Sequence, residues 1–257
     1  MSVPDIHPTA IVSPHANLAD GVIVKPYAII EDNVEIGKNC VIGNHAVIHE
    51  YVRMGSGNKI HSHAVIGDLA NDISFDQTQE TWVEIGNDNV LREFFTMHRS
   101  TNAESPTRLG SNGYLMAYTQ ISHDCQVGDY ATFATSAIIA GHVQVGNRVT
   151  LGGNLAVHQF CRIGSYAMCA GFIAIRKDVL PYTMVGGDPA KHYRLNSVGL
   201  RRNGIKGDNY KALEKAYREI RSGNKRLDGI EETEQTLHLK HWLAENSRRG
   251  LTGFVKL

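Results

Sequence analysis

An apolar residue returns at every sixth place along most of this 257-residue chain, and that period limits the folds open to it. The series Ile6, Val12, Leu18, Val24, Ile30, Ile36, Ile42, Ile48, Met54, Ile60 and Ile66 runs without a break. Four places after the first of these openers stand Ala10, Ala16, Val22, Ala28, Val34 and Cys40, all small or apolar. A period of six fits neither an amphipathic helix nor a long alternating strand. It fits one face of a triangular parallel β-helix, in which each block supplies a short strand and a corner, and three blocks close a coil. One block cannot bury its apolar face alone, whereas stacked coils bury a continuous column and pair each backbone edge with the next coil. Gly37, Gly43, Gly55, Gly128, Gly146 and Gly164 each follow an opener, where the chain is expected to turn. An aromatic content of 7% and 25 glycines suit short strands and tight corners better than a broad globular core.

The register breaks twice. Gly67 to Trp82 has no block structure and reads as an excursion loop, after which Ile85, Leu91 and Met97 resume the series. A second break spans Arg99 to Arg108, and the period then holds from Leu109 through Ile121, Ile139, Val157 and Ile163 to Ile175. Loops that leave a rigid solenoid while it continues undisturbed are usually functional. Pro181 and Pro189 close the repeat, so residues 1–190 form the solenoid. Residues 191–257 are charged and helix-forming, with amphipathic helices expected over Asn209–Arg221 and Glu231–Arg248.

Composition excludes several classes of function. The formal net charge is zero, which gives no electrostatic case for nucleic acid. No apolar stretch is long enough to cross a bilayer and the first residues carry no basic flank before an apolar run, so a soluble cytoplasmic protein is expected. Cys40, Cys125 and Cys161 fall at the inward fifth place of a block and Cys169 at an opener, which reads as buried reduced thiols. Neither a disulfide framework nor a zinc knuckle matches their spacing.

The candidate chemistry lies on outward places. His123, His142 and His158 belong to blocks opened by Ile121, Ile139 and Val157, which occupy one side of successive coils roughly 4.8 Å apart. His123 therefore stacks under Gly141 and Gln159, and Asp124 under His142 and then Phe160. Gly141 leaves room beside His123 for a substrate. Such histidines are solvated surface groups, metal ligands, or a general base with its carboxylate. Against a metal, no two of the three histidines share a position in stacked blocks, and no metal is expected.

Three strings resemble the UDP-N-acetylglucosamine acyltransferase family, which opens lipid A biosynthesis: His123-Asp124-Cys125, Ala140-Gly141-His142-Val143 and Ala156-Val157-His158-Gln159-Phe160-Cys161. Val83-Glu84-Ile85-Gly86, Arg92-Glu93, Thr96-Met97-His98-Arg99, and Asn196 with Gly199-Leu200-Arg201-Arg202 extend the resemblance over nearly the whole chain. It implies a left-handed parallel β-helix and a homotrimer. The implied reaction transfers a 3-hydroxyacyl chain from the phosphopantetheine of acyl carrier protein to the sugar 3-position, with no other cofactor. By the same resemblance His123 is the general base and Asp124 orients it. His142, His158 and Gln159 contact sugar, nucleotide or donor, Asp72 contacts the sugar, and the Gly141 N–H faces the oxyanion. Asn196 belongs to the entry into the helical part, Arg202 lies near the nucleotide phosphates and Gly171 limits acyl length. Arg218, Arg221, Lys225, Arg226, Arg248 and Arg249 offer a basic surface for acyl carrier protein, or simply solvated helix faces.

Three positions depart from the family pattern. A lysine is replaced by Ser74, a histidine by Gln120 and an acidic residue by Val198. They leave the acceptor open between UDP-N-acetylglucosamine and another UDP-amino sugar such as its 3-amino analogue. Two rivals are a zinc-dependent carbonic anhydrase of the same repeat type and a solenoid scaffold without catalysis.

Overall fold

The computed structural model describes residues 3–256, and the six-residue period is its skeleton. Two-residue strands such as Gln120–Ile121, Ile138–Ile139 and Ala156–Val157 carry the openers, each pairing in parallel with the strand one coil on. The strands form three sheets of eleven, nine and eight members, the faces of a triangular prism. Openers and fifth-place residues fill its interior: Ile121, Cys125, Phe133, Ala137 and Ile139 are fully buried. All four cysteines are free and buried, and burial pushes the Cys125 and Cys169 thiols up to about 12.

The corners differ from the sequence expectation. Those six glycines after openers are not left-handed, unlike Gly67 after Ile66, where the first loop departs; a Cβ on Gly37 would lie 2.6 Å from the Gly55 carbonyl carbon in the next coil. They permit close stacking. The left-handed residue is instead the fourth of most blocks, with φ of 59° at Asp124, 59° at His142 and 64° at Phe160. Such a φ is uncommon for residues other than glycine. Identical corners place fourth-place side chains directly above one another. Tyr27, His45, His63, Phe94 and Tyr118 make one such column, their rings 4.8–5.0 Å apart and within 14° of parallel.

Fifth-place Asn58 interrupts the apolar column without leaving it unsatisfied. Its Nδ2 donates to the Gly55 and Gly86 carbonyls at 2.9 and 2.8 Å, and its Oδ1 accepts from Asn89 N–H at 2.9 Å. Asn89 repeats the pattern one coil on, donating to the Gly110 carbonyl and accepting from Gly113 N–H. Asn58→Ala strands these buried groups, and denaturant titration should record a loss of about 2 kcal/mol.

Both excursions leave the register intact. Ile66 pairs with Met97 and Met97 with Ile121, so the coils close over the loops. The solenoid's end is less simple than expected. Lys191–Leu195 is a strand, antiparallel to Thr183–Gly186 at the edge of the eleven-stranded sheet. Its His192 is buried: Nε2 accepts from Leu180 N–H at 3.0 Å, and Nδ1 donates to the Thr252 carbonyl at 3.0 Å. It thereby ties the chain's last residues to the solenoid.

Helices begin later. A short α1 (Ser197–Arg202), which the sequence reading lacked, precedes α2 (Gly207–Arg221) and α3 (Glu234–Ala244). Leu213, Ala216, Tyr217 and Ile220 of α2 pack with Leu200 and α3 Leu239 in a second apolar cluster. The helix expected to reach Arg248 stops at Ala244 because a solenoid side chain takes its last carbonyls. Arg162 donates to Trp242 O at 2.7 Å and Glu245 O at 3.2 Å, and pairs with the Glu245 carboxylate at 2.8 Å. A guanidinium at a helix C-terminus satisfies orphan acceptors and complements the helix dipole. Among the described residues no helix is long and apolar enough to cross a membrane.

Candidate active site

Fourth-place stacking builds the site. Asp124, His142 and Phe160 occupy equivalent corners of three successive coils after strands of the nine-stranded sheet. The His142 and Phe160 rings stack at 4.6 Å, and His142 Nε2 lies 3.6 Å from Asp124 Oδ2. His123, one place earlier, crosses His142 edge-on at 5.1 Å and meets the same carboxylate oxygen through Nδ1 at 2.7 Å. With Nδ1 donating, Nε2 is left as a proton acceptor. A Cβ on Gly141 would overlap His123 Cε1 and Nε2, so the room expected there for a substrate is taken by the His123 ring itself, which can lie against residue 141 only because it is glycine.

The second excursion loop supports the carboxylate. Thr101 donates its N–H to Asp124 Oδ1 at 3.0 Å and its hydroxyl to Oδ2 at 2.8 Å. Burial raises the Asp124 pKa, but the hydrogen bonds from His123 and Thr101 outweigh it and hold the carboxyl below its ordinary range. His142 is lowered mainly by burial; Asp124 opposes this, while His123 and Arg248 reinforce it. The site thus holds an ionised carboxylate beside a neutral His142 near neutral pH.

His123 points away from the solenoid core, as the repeat requires, yet it is only 6% exposed. The excursions cover it: Asn71 of the first loop donates to Ser122 Oγ at 3.5 Å, and the second loop holds its partner Asp124. Loop enclosure was invisible in the period.

One ligand atom each from His123, Asp124 and His142 lies within 4.8 Å of the others. No such group was expected, because the histidines occupy different block positions; Asp124 supplies the missing link. The 2.7 Å His123–Asp124 separation is a hydrogen bond. Two ligands of one tetrahedral zinc, with bonds of about 2.0–2.1 Å, stand roughly 3.3 Å apart. This arrangement suits moving a proton.

A cavity of about 520 Å³ opens beside the column, lined by Thr101, Asp124, Gln126, His142, Gln144, Phe160 and Arg248 among others; His123 and Gly141 are not in its lining, and the site reaches it through Asp124 and His142. Its floor is the outer face of the eight-stranded sheet, where Gln126, Gln144 and Arg162 stand in register. Asp72, in the first loop, accepts from the Ser74 N–H and hydroxyl at 2.8 and 2.7 Å, which lower its pKa; the charges of His123 and His142 add to this. Ser74 thus engages the carboxylate where the family has a lysine. Gln120, in place of a histidine, donates to Ser122 Oγ at 3.1 Å.

The other expected residues do not converge here within one chain. His158 and Gln159 are exposed and outside the cavity lining; His158 Nδ1 accepts from Arg249 Nη2 at 2.6 Å. Asn196 caps α1, accepting from Gly199 N–H at 3.1 Å and donating to Tyr166 O at 2.9 Å. Arg202 is exposed at the end of α1, and Val198 is exposed on it. Gly171 follows a strand of the eleven-stranded sheet, on a different corner from His123. It adjoins Ala170, which with Met168, Met184, Val185 and Tyr193 lines a more apolar cavity of about 460 Å³. Thr101, Gln126 and Gln144 are the site groups that sequence reading missed. The departure of the second loop was the available signal for Thr101, and period eighteen for the glutamines.

Residues 178–252 match the family model described as UDP N-acetylglucosamine O-acyltransferase, domain 2, and residues 15–50 match bacterial transferase hexapeptide repeats. The acyl-[acyl-carrier-protein]–UDP-N-acetylglucosamine O-acyltransferase of Thiobacillus denitrificans is 46% identical over 221 residues, 85% of each chain. Among solved structures, LpxA from Acinetobacter baumannii superposes with a TM-score of 0.91 at 38% identity, covering 96% of this chain and 99% of that one. The UDP-N-acetylglucosamine acyltransferase of Campylobacter jejuni gives 0.90 at 32% identity, covering 98% and 100%.

Proposed function

Because the chain belongs to the acyl-[acyl-carrier-protein]–UDP-N-acetylglucosamine O-acyltransferase family, we propose that it moves a 3-hydroxyacyl group from acyl carrier protein to the 3-hydroxyl of UDP-N-acetylglucosamine. The observation that carries the mechanism is the Asp124–His123–Gly141 arrangement: a buried imidazole fixed through Nδ1, its ring packed against a position that only glycine can fill. Nε2 takes the hydroxyl proton as the sugar oxygen bonds to the thioester carbonyl carbon. The tetrahedral oxyanion then collapses, the carbon–sulfur bond breaks, and the imidazolium returns its proton to the departing pantetheine sulfur. Asp124 stabilises that imidazolium. The Gly141 N–H has no hydrogen-bond partner within the described chain, which supports assigning it to the oxyanion.

The acyl group arrives already activated as a thioester, so the reading calls for no cofactor of the protein's own. It makes the protein a cytoplasmic enzyme of lipid A biosynthesis. It also calls for a homotrimer, since Gly171, Asn196 and Arg202 stand apart from His123 in one chain, and a neighbouring copy would bring them to it. The exposed rings of Tyr27, Phe94, Tyr118 and Phe172, on the Gly171 corner, support a covered face there.

The test is acyl transfer by purified protein from 3-hydroxyacyl carrier proteins of several lengths, comparing UDP-N-acetylglucosamine with its 3-amino analogue. Transfer to the hydroxyl acceptor, lost in His123→Ala, is the expected result. Preference for the amine would move the acceptor assignment, and transfer to neither would overturn the reading.

A further inference from the structure

The tail after α3 carries two adjacent arginines with opposite circumstances. Arg249 is engaged, donating to His158. Arg248 makes no hydrogen bond or ion pair among the described residues; its guanidinium lies 4.6 Å over the Phe160 ring and lines the 520 Å³ cavity. Its placement is built from both sides. Upstream, Arg162 holds the Glu245 carbonyl at 3.2 Å and the Asn246 carbonyl at 3.5 Å. Downstream, the Gly250 carbonyl accepts from Asp178 N–H at 2.8 Å, and Gly250 N–H donates to Ser247 Oγ at 2.7 Å. The segment is strapped across the cavity with one cation left uncommitted.

The rest of the lining explains what that cation faces. Arg162 is occupied by helix carbonyls, and Asp124 by His123 and Thr101. Gln126 donates to Pro106 O and keeps its Oε1, while Gln144 makes no side-chain hydrogen bond among the described residues. Asn102, Ser105 and Asn246 add neutral polar groups. The cavity therefore offers amides and hydroxyls along its length and a guanidinium at its rim. Phe160 and His142 stand between that guanidinium and the reacting edge of His123.

We propose that Arg248 is a phosphate-binding residue of this site, gripping a phosphate of one substrate while neighbouring amides hold the linkage leading to the reacting group. A guanidinium suits phosphate through paired N–H donors. The proposal rests on the acyltransferase reading, whose substrates offer two phosphates: the diphosphate of the UDP-sugar and the phosphodiester of the carrier's pantetheine arm.

The experiment separates them. Steady-state kinetics of wild type, Arg248→Ala and Arg248→Lys are measured with each substrate varied, and calorimetry titrates UDP and 4′-phosphopantetheine separately. In Arg248→Ala one KM should rise about tenfold with kcat nearly unchanged, the matching probe should weaken alike, and lysine should restore part of the loss. A rise for the sugar nucleotide assigns the diphosphate, and a rise for the acyl carrier assigns the pantetheine phosphate. Unchanged KM and probe affinities overturn the proposal. So does a fall in kcat alone, which would limit Arg248 to supporting Phe160 and His142. If wild type transfers no acyl group, the function reading fails, and probe binding still decides whether Arg248 holds phosphate.

Discussion

Gly141→Ala should reduce acyl transfer by at least about a hundredfold while leaving the solenoid folded, an effect as large as removing a general base. The added Cβ would meet His123 Cε1 and Nε2, with Nδ1 also 3.1 Å away. The ring has no easy retreat, because Nδ1 is held by Asp124 at 2.7 Å and the side chain is buried. The methyl can be accommodated only if the imidazole turns, which breaks its hydrogen bond to Asp124. Gly141 has no left-handed φ, so alanine costs little backbone strain. The measurement is kcat/KM beside a thermal melt, with His123→Ala and the double variant for comparison. The double variant should be no worse than His123→Ala, since both changes remove one function. Near wild-type activity in Gly141→Ala would show that transfer does not need the His123 ring in its present position against residue 141.

Acid should loosen the joint between the solenoid and the chain's end. Burial lowers the His192 pKa from 6.5 to about 4, although hydrogen bonds to the Gly253 and Thr252 carbonyls oppose the shift. Above the unfolded value near 6.5 both folded and unfolded forms are neutral, and the favourable contribution is complete. As pH falls toward 4 the unfolded chain binds a proton that the folded chain refuses, which removes about 3 kcal/mol. His142 and His238, both lowered chiefly by burial, act in the same direction. Denaturant titrations at pH 7.5 and 4.5 should show the loss in wild type and a smaller one in His192→Asn. Equal pH dependence in the two proteins would remove His192 as the cause.

The parts of this protein legible from sequence are those that repetition controls. Ile121, Ile139 and Val157 fall in register because one short rule recurs, and the rule also predicted Asp124 beneath His142 and Phe160. Interactions outside the repeat were not legible. Nothing local to Arg162 says that it ends a helix some eighty residues later, and nothing in Lys191–Leu195 announces an antiparallel strand. Asn196 illustrates another limit: the residue is where the resemblance requires, but within one chain its amide is committed to the α1 cap and Tyr166. The glycines after the openers were identified correctly as structural, but for coil spacing instead of turning.

The solenoid's two ends are unequal. The outermost N-terminal strand is poorly covered, with the opener Ile6 42% exposed, whereas later openers of the same sheet, Val24 and Phe133, are 1% and 0% exposed. In a stack where each coil is held by its neighbours, thermal opening starts at the least buried end and advances one coil at a time. Several complete coils lie between that end and His123, and the opposite end is clamped by His192 and Arg162. Fraying that starts at the poorly covered N-terminal coils is therefore absorbed before it reaches the corner that carries His123 and Asp124, which keeps its geometry.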